Sequence, residues 1–305
     1  MAKRRSGKGR DVHGVLLLNK PVGLTSNEAL QVAKRLYNAR KAGHTGSLDK
    51  MASGLLPLCF GEATKFSSYL LHADKRYRAT CCLGVETATG DAAGEVVAEQ
   101  PVPPLTEKDI EAVLADFRGE TLQVPPMFSA LKHKGQRLYQ LAYQGIEVER
   151  KPRPIRIYSL ELVSFSENTF VIDVYCSKGT YIRTLVVDIG RKLGCGAHVG
   201  ALHRTGSGPF GEDELVSLEE LQALAGEGTG KLDQKLLGID TMIRELPEVV
   251  LADSVAYYLR QGQPVMVPRA PTEGILRIYN ENHGFLGVGE ILDDGRVAPR
   301  RLVNL

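Results

Sequence analysis

The chain has 305 residues, 43% hydrophobic and 24% charged, a globular composition long enough for one large domain or two. No apolar run approaches the ~20 uncharged residues that a membrane helix needs, and the basic start MAKRRSGKGR leads into no apolar segment, so neither a membrane span nor a secretory signal is expected. Five cysteines without a paired framework suit a reducing, cytoplasmic setting.

A net charge of +2 is too mild to name a polyanionic partner by itself. Its distribution says more. Lys3, Arg4, Arg5, Lys8 and Arg10 crowd the first ten residues. Further clusters are Lys75, Arg76 and Arg78 around Tyr77, then Lys132, His133 and Lys134 with Arg137, then Arg150, Lys151 and Arg153 with Arg156. Cations interleaved with Tyr and His suit phosphate contact plus base stacking. A solvated charged surface explains any one cluster equally well.

In chain order, "GVLLLNKP" reads as a short buried strand stopped by Pro21. Thr25 and Glu28 form a capping box ahead of Ala29, Val32, Ala33 and Leu36 at helical spacing. "GLLPLCF" reads as a buried strand, and "EATKFSSYLLHA" as helix with Phe66, Tyr69 and Leu70 on one face. "KRYRATCCLG" alternates as a half-buried strand, and 84–104 reads as a hairpin excursion or loop. Thr106 and Asp109 start a helix that turns Ile110, Val113, Leu114 and Phe117 inward and ends at Gly119. Residues 124–153, basic and broken by Pro and Gly, read as an elaborated surface element with one short helix. Strands at 154–164 and 169–176 precede a helix bearing Ile182, Leu185, Val186, Ile189 and Leu193 on one face. "LAGEGTG" (224–230) has linker composition. Beyond Leu246 come one helix, "DSVAYYLRQG", and short strands such as "PVMVP", "ILRIYN" and "GFLGVGEIL". Strands and helices without strict alternation predict an α+β fold.

Several kinds of site are excluded. "GHTGSLDK" lacks P-loop spacing, no dinucleotide-binding glycine motif follows the first strand, and there is no G-x-S-x-G elbow. Cys195 and His198 have ligand-like spacing without a second pair, so a buried thiol near a turn is expected rather than zinc. Cys81 and Cys82 fall on opposite strand faces, which argues against redox chemistry. Asp49, in "GHTGSLDKMASGLLPLCF", is a lone carboxylate between a Gly-rich turn and an apolar strand. Aspartate in such a context closes turns or caps helices. A catalytic role needs a cation, an aromatic platform and donors around it. His44, Lys20, Tyr77 and Arg183 are candidates whose convergence the spacing leaves open.

The stretch "GHTGSLDKMASGLLPLCFGEATKF" resembles the signature of the bacterial T-loop tRNA pseudouridine synthases, the TruB family. "LLLNKPVGLTSNEAL", "DKRYRATCCLG", "VPPMFSALKHKGQRLYQLAYQGIEVER", "CSKGTYIRTLVVDIGRKLGCGAHV" and "LHRTG" fit the same family in order. One position departs: Lys50 stands where many members have proline directly after the aspartate, which changes the turn and adds a cation beside the carboxylate.

The resemblance implies an α+β fold with a mixed, largely antiparallel sheet of the pseudouridine synthase type and flanking helices. A small β-rich, PUA-like domain would follow. The corresponding boundaries are a basic flexible tail at 1–12, a catalytic domain at 13–245 with an RNA-clamping thumb at about 124–153, and a C-terminal RNA-binding domain at 246–305. It implies isomerisation of uridine to pseudouridine at position 55 of the tRNA T-loop, with the target base flipped out. By the same resemblance Asp49 breaks and remakes the glycosidic bond, Arg183 pairs with it, and Tyr77 stacks on the base. His44 fills the space left by extruded bases. Lys20 lies in the family's "KP" motif and reads as mainly structural, and Tyr181, Lys132 and Arg137 are further substrate-binding positions. No cofactor and no metal are expected, and the chain is expected to be a monomer that binds the tRNA T-arm away from membranes. A tRNA-binding or tRNA-folding chaperone on the same scaffold is the alternative. A ribosyl-cleaving glycosidase would want a second carboxylate, and the only nearby one, Glu62, reads as a helix start.

Overall fold

The computed structural model describes residues 9–304. Residues 1–8 of the expected tail lie outside that range. Its last residues are part of the fold: the Arg10 backbone bridges to Ala39, its guanidinium pairs with Asp233, and Val12 is buried. The chain divides into two compact units, one of residues 49–55 and 73–207, the other of residues up to 48, 56–72 and 208 onward. The Ala52–Phe60 strand runs from the first into the second.

In the first unit the strand order is Ala52–Phe60, Ala197–Ser207, Lys75–Leu83, Thr169–Cys176, Arg153–Ser166, Gly119–Gln123. Only the Ala52–Phe60 pairing with Ala197–Ser207 is parallel; the rest are antiparallel, a mixed α+β sheet as predicted. Alternation in "KRYRATCCL" buries Ala79, Cys81 and Leu83 and leaves Arg76 and Arg78 exposed. The helices Glu107–Ala115 and Ile182–Lys192 cover the sheet with Ile110, Leu114, Ile182, Leu185, Val186 and Ile189, the residues their 3.6-residue spacing selects. The Thr106–Asp109 capping box is formed. Residues 84–104 carry the expected hairpin, Val85–Thr87 against Val96–Glu99. Within 124–153 lie the paired strands Lys132–His133 and Gln136–Arg137 and one short helix, Leu138–Ala142. Their link, Lys134 and Gly135, has φ +48° and +89°, the geometry a two-residue hairpin turn requires.

Gly54 shows why the parallel pairing needs glycine. Its φ is +98°, and a β-carbon there would lie 2.4 Å from the Arg204 carbonyl oxygen.

In the second unit the Gly14–Lys20 strand lies beside Ala52–Phe60, on which Ala42–His44 also pairs. The helix Ser26–Leu36 carries the predicted capping box. Toward the C-terminus the strands Glu248–Leu251, Ile275–Asn280, Phe285–Ile291 and Val297–Leu302 form a four-stranded sheet. With the helix Asp253–Arg260 they enclose a core of Val249, Leu251, Leu259, Leu276, Ile278 and Val297.

Two expectations are corrected. The supposed linker at 224–230 is the end of the helix Leu218–Glu227, a turn at Gly228 (φ +118°) and the start of the helix Thr229–Asp233. Leu232 is buried there and its carbonyl accepts from Tyr37 Oη at 2.7 Å, so burial overrides the loop-like composition. "PVMVP" is no strand; Val265 alone makes a bridge, to Val297. Beyond 246 the chain builds a sheet and a core of its own, and Phe285 meets Phe66 with ring centroids 5.7 Å apart while Tyr279 Oη donates to Asp240 at 2.9 Å.

Candidate active site

Asp49 follows a pinned peptide. The Leu48 N–H donates to Ser26 Oγ at 2.7 Å, and the Leu48 carbonyl accepts from that hydroxyl at 3.2 Å. The Asp49 carbonyl accepts from the Ala52 N–H at 3.1 Å and closes the turn into the strand. The turn therefore uses the main chain of Asp49 and leaves its carboxylate free for another task. A turn-forming aspartate would spend that carboxylate on a nearby backbone N–H; here Oδ2 receives Arg183 Nε at 2.8 Å.

Arg183 lies in the first turn of the Ile182–Lys192 helix and is only 6% exposed, whereas the Asp49 side chain is 45% exposed. A buried guanidinium is tolerated when its donors are satisfied. Nη1 donates to the Thr89 carbonyl at 2.8 Å and lies 3.6 Å from Asp91 Oδ2, while Nη2 donates to the Phe128 carbonyl at 2.7 Å. Asp91 is buried and held in turn, its Oδ1 accepting from Thr89 Oγ1 at 2.7 Å and from the Ala93 N–H at 3.1 Å. Gly90 turns the chain here with φ +72°, a conformation that glycine adopts without strain. The result is a rigid cation between two carboxylates, one buried and one open to solvent.

Two tyrosines lie near enough to feel the Asp49 charge. Tyr77 lies opposite Arg204 in the ladder, and the two side chains share a hydrogen bond. Burial pushes the Tyr77 phenol above its ordinary range; Arg204 pulls it down, and the nearby Asp49 charge pushes it up. The phenol is therefore neutral at physiological pH. Arg204 is 1% exposed and its Nε donates to the Leu55 carbonyl at 2.7 Å. Tyr181 occupies the N-cap of the Arg183 helix, a position where its own side chain caps nothing. The buried Gln123 amide takes that role, its Oε1 accepting from the Tyr181 N–H at 2.8 Å and its Nε2 donating to the Tyr181 carbonyl at 3.0 Å. A half-exposed carboxylate held at one oxygen, beside neutral phenols, suits a nucleophile or base acting on a flat ring.

Residues 34–182 match the family described as TruB family pseudouridylate synthase (N terminal domain). Residues 183–244 match the tRNA pseudouridylate synthase B C-terminal domain, and 247–303 match Pseudouridine synthase II TruB, C-terminal. The tRNA pseudouridine synthase B of Nitrosococcus oceani is 56% identical over 303 residues, covering 99% of this chain and 98% of the relative. The chain belongs to the TruB family of pseudouridine synthases.

A second relative of the same description, from Coxiella burnetii, is 54% identical and covers 96% of both chains. Among solved structures, a Cbf5–Nop10–Gar1 complex aligns with TM-score 0.74 at 26% identity, over 95% of this chain and 84% of that one. An H/ACA RNP bound to a substrate RNA containing 2′-deoxyuridine shares the fold, with TM-score 0.75 at 24% identity over 100% of this chain and 92% of that one.

Of the positions singled out by the TruB resemblance, the structure brings together Asp49, Arg183, Tyr77 and Tyr181. Lys132 and Arg137 are exposed partners across the small 132–137 hairpin. His44 and Lys20 belong to the other unit. His44 is half-buried opposite Leu58, and Lys20 is buried with Nζ donating to the carbonyls of Pro21 at 2.8 Å and Leu24 at 2.6 Å. Cys195 is a buried thiol, and His198 Nδ1 lies 2.9 Å from the Val85 carbonyl oxygen.

Asp91, Gln123 and Arg204 were not anticipated. Asp91 sits in the Gly- and Ala-rich stretch that reads only as a hairpin turn. Arg204 left one usable trace: period-2 alternation with Leu202 places it on the buried face.

Proposed function

We propose that this protein isomerises uridine to pseudouridine at position 55 in the T-loop of tRNA. The observation that carries the proposal is the half-exposed Asp49 carboxylate, gripped at one oxygen by the buried Arg183 and near the neutral Tyr77. Near-full-length similarity to proteins named tRNA pseudouridine synthase B supports the substrate.

The target uridine swings out of the loop at a cost of about a few kcal/mol, and Tyr77 stacks on its base. Asp49 acts on the nucleotide as the N1–C1′ bond breaks. The uracil turns and C5 bonds to C1′; C5 gives up its proton, and N1, no longer bonded to C1′, takes one up. Atoms and electrons balance without any redox change. Arg183 fixes the carboxylate's direction throughout. The 124–153 thumb, with the exposed Lys132 and Arg137, closes on the T-arm; Tyr181 binds the substrate, and His44 fills the space that the extruded bases leave. Catalysis belongs to residues 13–245, and the 246–305 domain contacts the acceptor side.

The test is tritium release from C5-tritiated uridine in a T-arm RNA, with the modified position mapped by mass spectrometry. Release from the T-arm, with product only at position 55, is expected. Equal release from an RNA with a scrambled loop would overturn the assignment of substrate.

A further inference from the structure

Lys50 is the part of the Asp49 turn that the proposed chemistry does not use. It is exposed, and its neighbour's carboxylate is already committed to Arg183. Among the described residues Lys50 takes part in no ion pair. Some cations of the same unit do: Arg78 pairs with Asp173 at 2.7 Å, Arg191 with Glu86 at 2.8 Å and Arg156 with Glu120 at 3.8 Å. The exposed Lys132, Lys134 and Arg137, like Lys50, take part in none among the described residues; what sets Lys50 apart is its place beside Asp49.

Arg153 is a second exposed cation in no ion pair among the described residues. It opens the Arg153–Ser166 strand opposite Gln123, the residue whose amide grips Tyr181 at the head of the Arg183 helix. Burial raises the Tyr181 phenol, and Arg153 is among the nearby charges that pull it back. One unneutralised cation thus adjoins Asp49, and another adjoins Tyr181.

Unpaired surface cations contribute little to folding. They are what a polyanion recruits, because each phosphate neutralised releases condensed counterions. We propose that Lys50 and Arg153 bind the two backbone phosphates flanking the nucleotide presented to Asp49 and so contribute to RNA affinity. The inference rests on the RNA substrate proposed above.

The experiment uses the full chain with Lys50→Gln, Arg153→Gln and Lys50→Arg variants and a T-arm RNA. Binding is measured between about 50 and 200 mM salt, together with the single-turnover rate at saturating RNA. Each Gln variant should weaken binding about 5-fold at the lowest salt and reduce the log–log salt slope by about 0.7 to 0.9. The rate at saturation should stay within about 3-fold, and Lys50→Arg should restore the slope.

An uncharged methylphosphonate at one flanking linkage should erase the Lys50→Gln effect, and at the other linkage the Arg153→Gln effect. Slopes equal to wild type in both Gln variants overturn the inference. A lower saturating rate with an unchanged slope also overturns it, assigning Lys50 to the electrostatics of Asp49 instead. If the wild-type protein itself neither binds nor turns over the T-arm, the RNA reading fails, which is a separate result.

Discussion

Arg183 does more than supply a positive charge. Its guanidinium serves the Asp49 carboxylate, the Thr89 and Phe128 carbonyls and Asp91 at once, which a single ammonium point charge cannot do. Arg183→Lys keeps the charge and loses the fork. Asp49 would then be free to move by about 1 Å, a displacement that can cost about 100-fold in rate. Single-turnover kinetics should show a fall of about that size with RNA affinity within about 3-fold; a rate near wild type would mean that charge alone suffices. At this scale Asp49, Tyr77 and Arg183 were legible through their motifs. Asp91, Gln123 and Arg204 were not, because each works through a partner distant in sequence, 92, 58 and 127 residues away respectively. Spacing within a single segment carries no trace of such pairings.

Helix starts were readable because capping is local: Thr25 with Glu28 and Thr106 with Asp109 form the boxes their sequence announces. The helix that carries Arg183 lacks such a signal, since its cap comes from Gln123 on a different strand. The Lys75–Leu83 strand begins with a charge that local alternation also does not explain. Lys75 is 7% exposed, with Nζ donating to the Ala73 carbonyl, and burial followed by the Arg204 charge lowers its pKa from 10.5 to about 8. Below pH 8 the lysine is protonated in both folded and unfolded states, and the native state bears the full penalty, about 3 kcal/mol. Between about pH 8 and 10.5 the unfolded chain binds more protons, so this group's contribution makes stability rise with pH. Lys75→Met removes that dependence. Denaturant unfolding should therefore show the variant-minus-wild-type stability falling by about 3 kcal/mol from pH 7 to pH 10.5. A difference independent of pH would mean that the buried ammonium is not desolvated in the native state.

Over the whole molecule, fold class and family were readable from ordered motifs spread along most of the chain, whereas the division into units was not. Composition pointed to a break at 224–230, where two helices and a buried Leu232 stand instead, and to one at 246, beyond which the chain builds its own sheet and core while Phe285 still meets Phe66. Hydrophobic burial across distant segments determines the units, and loop-like composition is a weak guide to it. The function proposed for the whole chain depends on a single side chain in that architecture. Asp49→Asn keeps the shape of the side chain and removes its charge. With C5-tritiated T-arm RNA and enzyme in excess, the wild type should release tritium, while the variant binds the RNA within about 3-fold of wild type and releases none above background. Release by Asp49→Asn at the wild-type rate would show that this carboxylate does not carry the reaction.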